Sequence, residues 1–305
     1  MGHAMTVQWP DNSKSRFGKD ILQASHSLNI GAAFSDTGLA DILDRYPRDQ
    51  LGIWTFGAHG EGEAAAIRGG APNASGADIL DAVKRGTIWL NLREANCKLP
   101  ELQPLADEIF GSLAQASGRR LMKKDMGLLI SSPKVHVHYH LDIPMVALFQ
   151  LRGRKRLWLY PADEVHAPDT AVEDMVHMLK EEGLSFEAAF DARATIIDLE
   201  PGMGLTWPQT APHRVQNADC INVSLSCEYM TVGALVNANA IYTNALLRKR
   251  FNMAQRRSPA ITPASLGKAA IARAMKLVAR QGPRQSPTPI TFYLDPAAEN
   301  CIKPA

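Results

Sequence analysis

The stretch VHVHYHLD, residues 135–142, is the starting point for predicting both the fold of this chain and a metal site in it. In an extended strand alternate side chains share a face, so four residues are candidates to line one face of a single strand. They are His136, His138, His140 and Asp142. Burying four such groups is costly unless a metal ion or hydrogen-bond partners satisfy them. Taken alone, the stretch leaves two interpretations open, a solvated surface strand and one half of a metal site.

A second stretch, PGMGLTWPQTAPHRVQN at residues 201–217, contains one further histidine. The Pro201-Gly202 pair predicts a turn, a short apolar strand follows, and a tight connection ends at His213. Together with His140 and Asp142, His213 completes a set of two imidazoles and one carboxylate. Such a set occupies one face of an octahedral iron and leaves three positions open, as non-haem Fe(II) oxygenases require. The two stretches together therefore predict a metal site.

A third stretch, QLRGRKR at residues 150–156, places a basic side chain at the start of a predicted strand. If that strand returns across a barrel, Lys155 points into the interior, where a cation needs an anionic partner. The distal carboxylate of 2-oxoglutarate is a suitable partner, held by a charge-assisted hydrogen bond. The alternative is a basic hairpin turn in water.

The pattern around these stretches predicts a β-rich core between helical segments. Short β-type runs with Gly and Pro at the corners are typical of a sandwich or barrel. These runs lie at 128–132, 135–142, 145–151, 155–160, 194–200, 204–207, 213–217 and 221–229. Helices are predicted at 39–45, 77–84, 100–116, 172–182 and 266–279, strands at 52–56 and 87–92, and a Gly- and Ala-rich loop at 59–75. The expected organisation is an N-terminal α/β segment (5–126), a β core (127–230) with a helical insertion (162–193), and a C-terminal helical region (231–305).

Residues 128–161 and 201–217 resemble the cupin-like branch of the JmjC oxygenases, the group that contains the hypoxia-inducible-factor asparaginyl hydroxylase. The resemblance lies in an S-P turn, the H-x-D pair, a Q-x-x-G-x-K segment and a P-G…P…H segment, in that order. It implies a mainly β fold with flanking helices, built on a double-stranded β-helix (jelly roll or cupin). It also implies Fe(II) held by His140, Asp142 and His213 as the catalytic residues, and 2-oxoglutarate as co-substrate, anchored by Lys155.

Some positions depart from the family pattern. Where relatives often place Thr before the first ligand and Asn after the Asp, this chain has Val137 and Val146. The remaining contacts to 2-oxoglutarate are therefore expected from the last β run. The candidates there are Asn222, Ser224 and Ser226. Tyr139 is a weaker candidate, because on a regular strand it faces away from His140. We interpret the extra histidines at 136 and 138 as pocket residues.

The expected function is that of an Fe(II)- and 2-oxoglutarate-dependent dioxygenase that hydroxylates a protein side chain or a small molecule. One alternative is a cupin metalloenzyme that uses His138, His140 and His213 without 2-oxoglutarate. The usual cupin motif also needs a Glu shortly after the H-x-H pair, and the sequence has none between His140 and Lys155. The other alternative is a non-enzymatic, ligand-sensing regulator with a basic tail.

Charge is unevenly distributed along the chain, although the formal net charge is only +2. Between residues 230 and 292 there are ten basic and no acidic residues. This region could meet an anionic partner, or pack on the acidic remainder of its own or a second subunit. No nucleic-acid-binding signature is present, so nucleic acid is not expected. The resemblance suggests a homodimer through the C-terminal helices.

The cysteines and the apolar runs suggest a cytoplasmic protein. The four cysteines show no CxxC spacing and no disulfide framework, which suits a reducing compartment. No apolar run approaches the roughly 20 residues that a membrane-spanning helix needs.

Overall fold

The structure, a computed structural model, describes residues 5–28, 31–56, 66–177, 184–258, 260–278, 288–298 and 300–305. Parts of the predicted loop at 59–75 and of the predicted helix at 172–182 lie outside these residues, as do Arg280 and Arg284. No helix among the described residues is long and apolar enough to cross a membrane.

The strands form two sheets. Their bounds are β1 (Val7–Gln8), β2 (Leu22–His26), β3 (Gly52–Thr55), β4 (Ile67–Gly70), β5 (Ile88–Leu92), β6 (Met122–Ser131), β7 (His136–His140), β8 (Met145–Arg152), β9 (Lys155–Leu159), β10 (Thr195–Leu199), β11 (Met203–Thr206), β12 (His213–Asn217), β13 (Asn222–Met230), β14 (Phe292–Leu294) and β15 (Ile302–Pro304). The larger sheet has the order β1-β2-β11-β8-β13-β6-β5-β3-β4-β14-β15, and the smaller sheet has the order β10-β9-β12-β7. From β6 to β13 the chain passes repeatedly between the two sheets, with β9 and β10 both in the smaller one, as in a double-stranded β-helix. The predicted fold class, mainly β with flanking helices around a jelly-roll core, is confirmed.

Helices pack around the sheets. Their bounds are α1 (Ser13–Arg16), α2 (Asp36–Arg45), α3 (Gly76–Arg85), α4 (Ala95–Lys98), α5 (Gln103–Ser117), α6 (Asp169–Val176), α7 (Val232–Phe251) and α8 (Pro263–Val278), with short 3-10 helices at Gly31–Phe34, Arg48–Gln50, Pro100–Leu102 and Ala188–Arg193. Side-chain caps explain where two of these helices begin. Ser75 and Asp78 form a capping box at the start of α3, and the Thr231 side chain caps the start of α7.

Apolar and polar residues alternate along β13, so this strand has one apolar and one polar face. Its apolar side chains join the core beneath the helices; they are Val223, Leu225, Cys227 and Tyr229. The intervening side chains are mostly polar and lie on the opposite face, toward the smaller sheet. Between the two sheets a second apolar cluster joins Val146 and Leu148 of β8 to Leu157 of β9 and Val215 of β12. The space between the sheets is therefore apolar in the middle and polar at the edges.

The predicted loop at 59–75 is wrong in its second half, where β4 lies. The prediction rested on glycine, which usually weakens a strand. Here β4 pairs in parallel with β14, and the ring of Phe292 lies where a Cβ on Gly69 would be. The missing side chain at Gly69 is what allows the two strands to approach. The strand also pairs with β3, and its pairing with β14 joins it to a segment more than 200 residues away, which the local pattern does not reveal.

Candidate metal centre

Three of the predicted site residues meet at one end of the space between the sheets. His140 at the end of β7 lies opposite His213 at the start of β12, with ring centroids 4.2 Å apart. Asp142 follows β7, and its Oδ2 lies 3.6 Å from Nε2 of His213. One ligand atom from each of the three residues lies within 4.8 Å of the other two, the one such group among the described residues. These distances suit a shared metal ion.

The backbone fixes the orientation of both imidazoles. Nδ1 of His140 lies 2.7 Å from the carbonyl oxygen of His138, and Nδ1 of His213 lies 3.4 Å from that of Ala211. Because a carbonyl only accepts hydrogen bonds, each Nδ1 carries the proton and donates it. Nε2 of each ring is then left with its lone pair, which is the arrangement found for metal-binding histidines.

The electrostatics of the cluster also fit a cation. Burial, and then the nearby charge of His140, holds the pKa of His213 well below its usual value, so the ring is neutral near pH 7. Burial raises the pKa of Asp142, although the charges of His140 and Arg93 oppose this effect. A bound divalent cation would offset the unfavourable burial of the Asp142 carboxylate. The donor set of these three residues therefore fits a metal such as iron.

The regular alternation expected along residues 136–142 is interrupted, because β7 contains a bulge and ends at His140, two residues before Asp142. The register passes from the His140–His213 pair to the Val137–Val215 pair, three residues on β7 against two on β12. Val137 consequently packs inward with the apolar cluster, on the side of His140. His138 lies at the outer part of the cavity beside Phe56, with ring centroids 5.6 Å apart.

Tyr139 points to the outer side of the smaller sheet, away from the metal cluster. Its hydroxyl donates to the carbonyl oxygen of His166 at 2.7 Å, and its ring packs on Tyr160 at 5.0 Å. The structure therefore gives this residue no position from which its hydroxyl could reach a ligand of the metal cluster.

Lys155 lies deeper in the same cavity. It is directly opposite Asn217 in the β9–β12 ladder, and only 6% of its surface is exposed. Burial lowers its pKa to about 8. Within the described part of the chain its ammonium has no hydrogen-bond or ion-pair partner. A buried cation without an anion is costly, so this position is suited to an anionic ligand.

Asn217 is held rigidly next to Lys155. Its Nδ2 donates to Oγ of Ser131 and to the carbonyl oxygen of Ser132, both at 2.8 Å. Ser131, Asn217 and Lys155 all line the cavity. They form a polar end to a cavity whose middle section is apolar.

The three candidates on β13 differ in position. Gln150 of β8 lies between two of them: its Nε2 donates to Oδ1 of Asn222 and its Oε1 accepts from Oγ of Ser224, each at 2.7 Å. Ser226 is the one of the three that lines the cavity, together with Glu228. Oδ1 of Asn222 and the Ser224 hydroxyl are thus occupied by Gln150, and Nδ2 of Asn222 donates to the carbonyl oxygen of Cys220 at 3.0 Å.

The mouth of the cavity contains residues that the sequence analysis missed. Trp54 of β3 and Trp89 of β5 are cross-strand neighbours on the cavity wall. Arg93, just after β5, bonds to Asp125 at 2.5 Å and to Glu228 at 3.0 Å. The alternation of residue types at 87–92 predicted a strand. It did not reveal that this strand would extend the sheet beside the metal site.

One cavity of about 600 Å³ joins the metal cluster, Lys155 and this mouth. Trp207 lines it and also lines a second cavity of about 880 Å³ on its other side. The Trp207 ring packs on His213 with centroids 4.8 Å apart. A tryptophan thus separates the metal cluster from the second cavity.

No protein-family model matches the sequence, and no curated protein matches it. Solved structures do match in fold. An X-ray structure of Escherichia coli YcfD shares 18% identity, covers 92% of this chain and 70% of that chain, and has a TM-score of 0.51. A crystal structure titled as the E. coli ribosomal oxygenase YcfD has 17% identity, coverages of 96% and 75%, and a TM-score of 0.49. YcfD in complex with cobalt and 2-oxoglutarate has 15% identity, coverages of 94% and 74%, and a TM-score of 0.48. The first of these likenesses shows that the chain is similar in fold to YcfD.

Proposed function

We propose that this protein is an Fe(II)- and 2-oxoglutarate-dependent oxygenase. One observation carries the proposal: a cluster of two imidazoles and one carboxylate shares a cavity with a buried lysine that has no anion among the described residues. A 2-oxo acid with a second carboxylate matches both ends of such a cavity. YcfD itself is described as a ribosomal oxygenase, and its likeness to this chain is a likeness of fold.

His140, Asp142 and His213 are the proposed metal ligands and catalytic residues. Bound Fe(II), with O₂ and 2-oxoglutarate, supplies the oxidising chemistry. The chain supplies the rest: a fixed tautomer for each imidazole, a carboxylate beside them, and walls that limit the access of water. Because the protein offers three ligands rather than six, positions remain for exogenous ligands from the cavity.

Lys155 is the proposed anchor for the distal carboxylate of 2-oxoglutarate. A charge-assisted bond there would satisfy the buried ammonium. Ser226 is the proposed hydroxyl partner on the wall of the cavity. Asn222 and Ser224 do not line the cavity and hydrogen-bond to Gln150, so we propose no direct contact with 2-oxoglutarate for them. Asn217, opposite Lys155, restricts where the lysine side chain can lie.

The cupin alternative is not favoured by the geometry. It needs His138 in the metal cluster, whereas His138 lies beside Phe56 and the cluster contains Asp142 instead. The regulator alternative leaves the buried Lys155 and the arranged imidazoles without a role. Neither alternative is supported by a specific observation.

The finer assignment is a dioxygenase that hydroxylates a protein side chain or a small molecule. Half-buried Trp54 and Trp89 line the cavity and give a substrate an apolar surface in the same cavity as the metal cluster. Three further expectations stay predictions: membership of the asparaginyl hydroxylase group, a cytoplasmic location and a homodimer. Light scattering at micromolar concentration tests the last of these.

The experiment that tests the function is anaerobic reconstitution with Fe(II), followed by measurement of succinate formation from 2-oxoglutarate in air. We expect slow turnover without substrate in the wild type, none in Asp142→Ala, and a raised 2-oxoglutarate requirement in Lys155→Ala. Asp198→Ala, an exposed carboxylate on β10 that pairs with Arg156, is the matched control. Iron binding without any consumption of 2-oxoglutarate would remove the proposal's support.

A further inference from the structure

The connection that carries Asp142 lies outside the regular strands. β7 ends at His140 and β8 begins at Met145, so Asp142 belongs to the four-residue connection 141–144. Its carboxylate accepts no hydrogen bond from the described residues, and its Oδ2 lies 3.6 Å from Nε2 of His213. Outside the strand ladders, one hydrogen bond reaches residues 141–144 from the described part of the chain, and Gln209 donates it. The position of this proposed ligand therefore depends on a residue that is not itself a ligand.

Gln209 lies in the connection that leads to His213. This connection, residues 207–212, joins β11 to β12. Nε2 of Gln209 donates to the carbonyl oxygen of Ile143 at 2.7 Å and to that of Ala234 at 3.2 Å. Ile143 directly follows Asp142, and Ala234 lies in the first turn of α7. One side chain thus joins the connection that carries Asp142, the connection that leads to His213, and α7.

Asn237 of α7 fixes the orientation of the Gln209 amide. Its Nδ2 donates to Oε1 of Gln209 at 3.0 Å. Because a carbonyl oxygen only accepts hydrogen bonds, the amide nitrogen of Gln209 must face Ile143 and Ala234, and its oxygen must face Asn237. A flipped amide would lose all three bonds. Gln209 and Asn237, called here the positioning pair, therefore act as one unit.

The connection 207–212 is itself held in a single conformation. Thr210 has a φ of 61°, in the left-handed region that a β-branched residue rarely adopts. Nη1 of Arg257 donates to its Oγ1 at 3.3 Å, and Arg257 also forms a largely buried ion pair with Asp169. A strained residue persists where its surroundings hold it. Arg257 comes from the basic region after residue 230, so at this point that region does pack on an acidic residue of its own chain.

We propose that Gln209 and Asn237 are positioning residues of the metal centre. They hold the connection that carries Asp142 against the connection that leads to His213, and so set the separation of a carboxylate and an imidazole ligand. This inference rests on the proposed function, because it requires both residues to bind the metal. A metal site needs its ligands within about 0.5 Å of the productive geometry, and supporting hydrogen bonds provide that precision. Without the pair, residues 141–144 can shift, and the ligands spread over more positions.

The competing explanation is that the same bonds only stabilise the fold. In that case their loss would lower the free energy of unfolding, but the folded protein would bind a metal with unchanged affinity and geometry. The visible absorption bands of bound Co(II) separate the two explanations, because they report the arrangement of the ligands around the ion. Co(II) titration of the full-length protein without 2-oxoglutarate therefore measures affinity and geometry together.

Gln209→Leu removes the amide and keeps a side chain of similar volume. We expect the affinity for Co(II) to fall by about tenfold, in the range known for residues that orient metal ligands, and the absorption bands to change. Asn237→Ala should change both in the same direction by less, because Gln209 keeps its own bond to Ile143. The double variant should be no weaker than Gln209→Leu, since both residues act through that one bond. If Gln209→Leu does not fold, Asn237→Ala decides, because it leaves the connection itself intact.

Asn239→Ala is the matched control. Asn239 is also a half-buried asparagine of α7, and its amide bonds to the carbonyl oxygen of Leu235 and to Lys276. It should bind Co(II) with the affinity and the spectrum of the wild type. Unchanged affinity and spectrum in Gln209→Leu, or an equal loss in Asn239→Ala, would overturn the positioning role alone. Absence of Co(II) binding by the wild type would instead overturn the proposed function, and the positioning role with it.

Discussion

His140 and His213 face each other across the β7–β12 ladder, with their ring centroids 4.2 Å apart. The two proposed imidazole ligands are therefore positioned by strand pairing rather than by a mobile loop. Asp142 follows within two residues of His140, so the third ligand is tied to the same ladder. Ligands on paired strands are held in place before a metal arrives, which favours a defined geometry.

Removal of the carboxylate ligand should weaken metal binding. Asp142→Ala leaves two neutral imidazoles and no negative charge to balance a divalent cation. We expect the affinity for Mn(II) to fall by more than about tenfold, since even the loss of an outer hydrogen-bond partner has that effect at many sites. Calorimetric titration measures it, with Asp198→Ala as the control. Equal affinities in Asp142→Ala and wild type would show that Asp142 is not a ligand.

The 2-oxoglutarate requirement should depend on pH through Lys155. Its pKa in the protein without ligand is about 8, so the fraction of protonated lysine falls as the pH rises above that value. Because the protonated form binds the carboxylate, KM for 2-oxoglutarate should rise above about pH 8. In Lys155→Arg the side chain stays charged and the rise should disappear, whatever the absolute KM. If both proteins show the same rise, another group is titrating.

Many secondary-structure elements were predictable, because hydrophobic periodicity is a local property. The strand patterns at 145–151, 155–160 and 213–217 match β8, β9 and β12 within one residue. The grouping of His140, Asp142 and His213 was also predictable, since an H-x-D pair and a later histidine are visible in the sequence and a shared metal explains them. These parts needed no knowledge of strand register.

What was missed depends on contacts between distant segments. The bulge in β7 lies in its pairing with β12 and brings Val137 into the apolar cluster between the sheets, which regular alternation did not predict. Gln150 lies directly across from Ser224 in the β8–β13 ladder, which is why the Ser224 hydroxyl is occupied. Arg93 reaches Glu228 from 135 residues away. A single sequence without strand register does not contain these relationships.

The hydrogen bonds of Asn217 at the polar end of the cavity should contribute to the free energy of unfolding. Asn217→Ala removes the amide that donates to Ser131 and to the Ser132 carbonyl, and so leaves a buried carbonyl without this partner. We expect the free energy of unfolding to fall by about 1–3 kcal/mol. Denaturant unfolding checks this value, with Asn96→Ala, which removes a solvent-exposed hydrogen bond to Gln103, as the control. An unchanged midpoint would mean that the two bonds carry no net stability.

Two ion pairs between α6 and α7 should differ sharply in their effect on stability. Glu173 is 1% exposed, so Arg248→Ala leaves a buried carboxylate without its cation and should destabilise the protein by about 3–5 kcal/mol. Lys249 and Asp174 are more exposed, and Lys249→Ala should cost no more than about 1 kcal/mol. Thermal and denaturant unfolding of both variants test the contrast. Similar losses in the two variants would contradict the role assigned to burial.

The most direct test of the central claim is anaerobic calorimetric titration of the protein with 2-oxoglutarate, with and without Mn(II) as a redox-stable substitute for iron. The account predicts tight binding only when the metal is present. It further predicts binding that is weakened in Lys155→Ala and lost in Asp142→Ala. Binding of equal strength without metal, or unchanged binding in both variants, would show that His140, Asp142, His213 and Lys155 do not form a 2-oxoglutarate site.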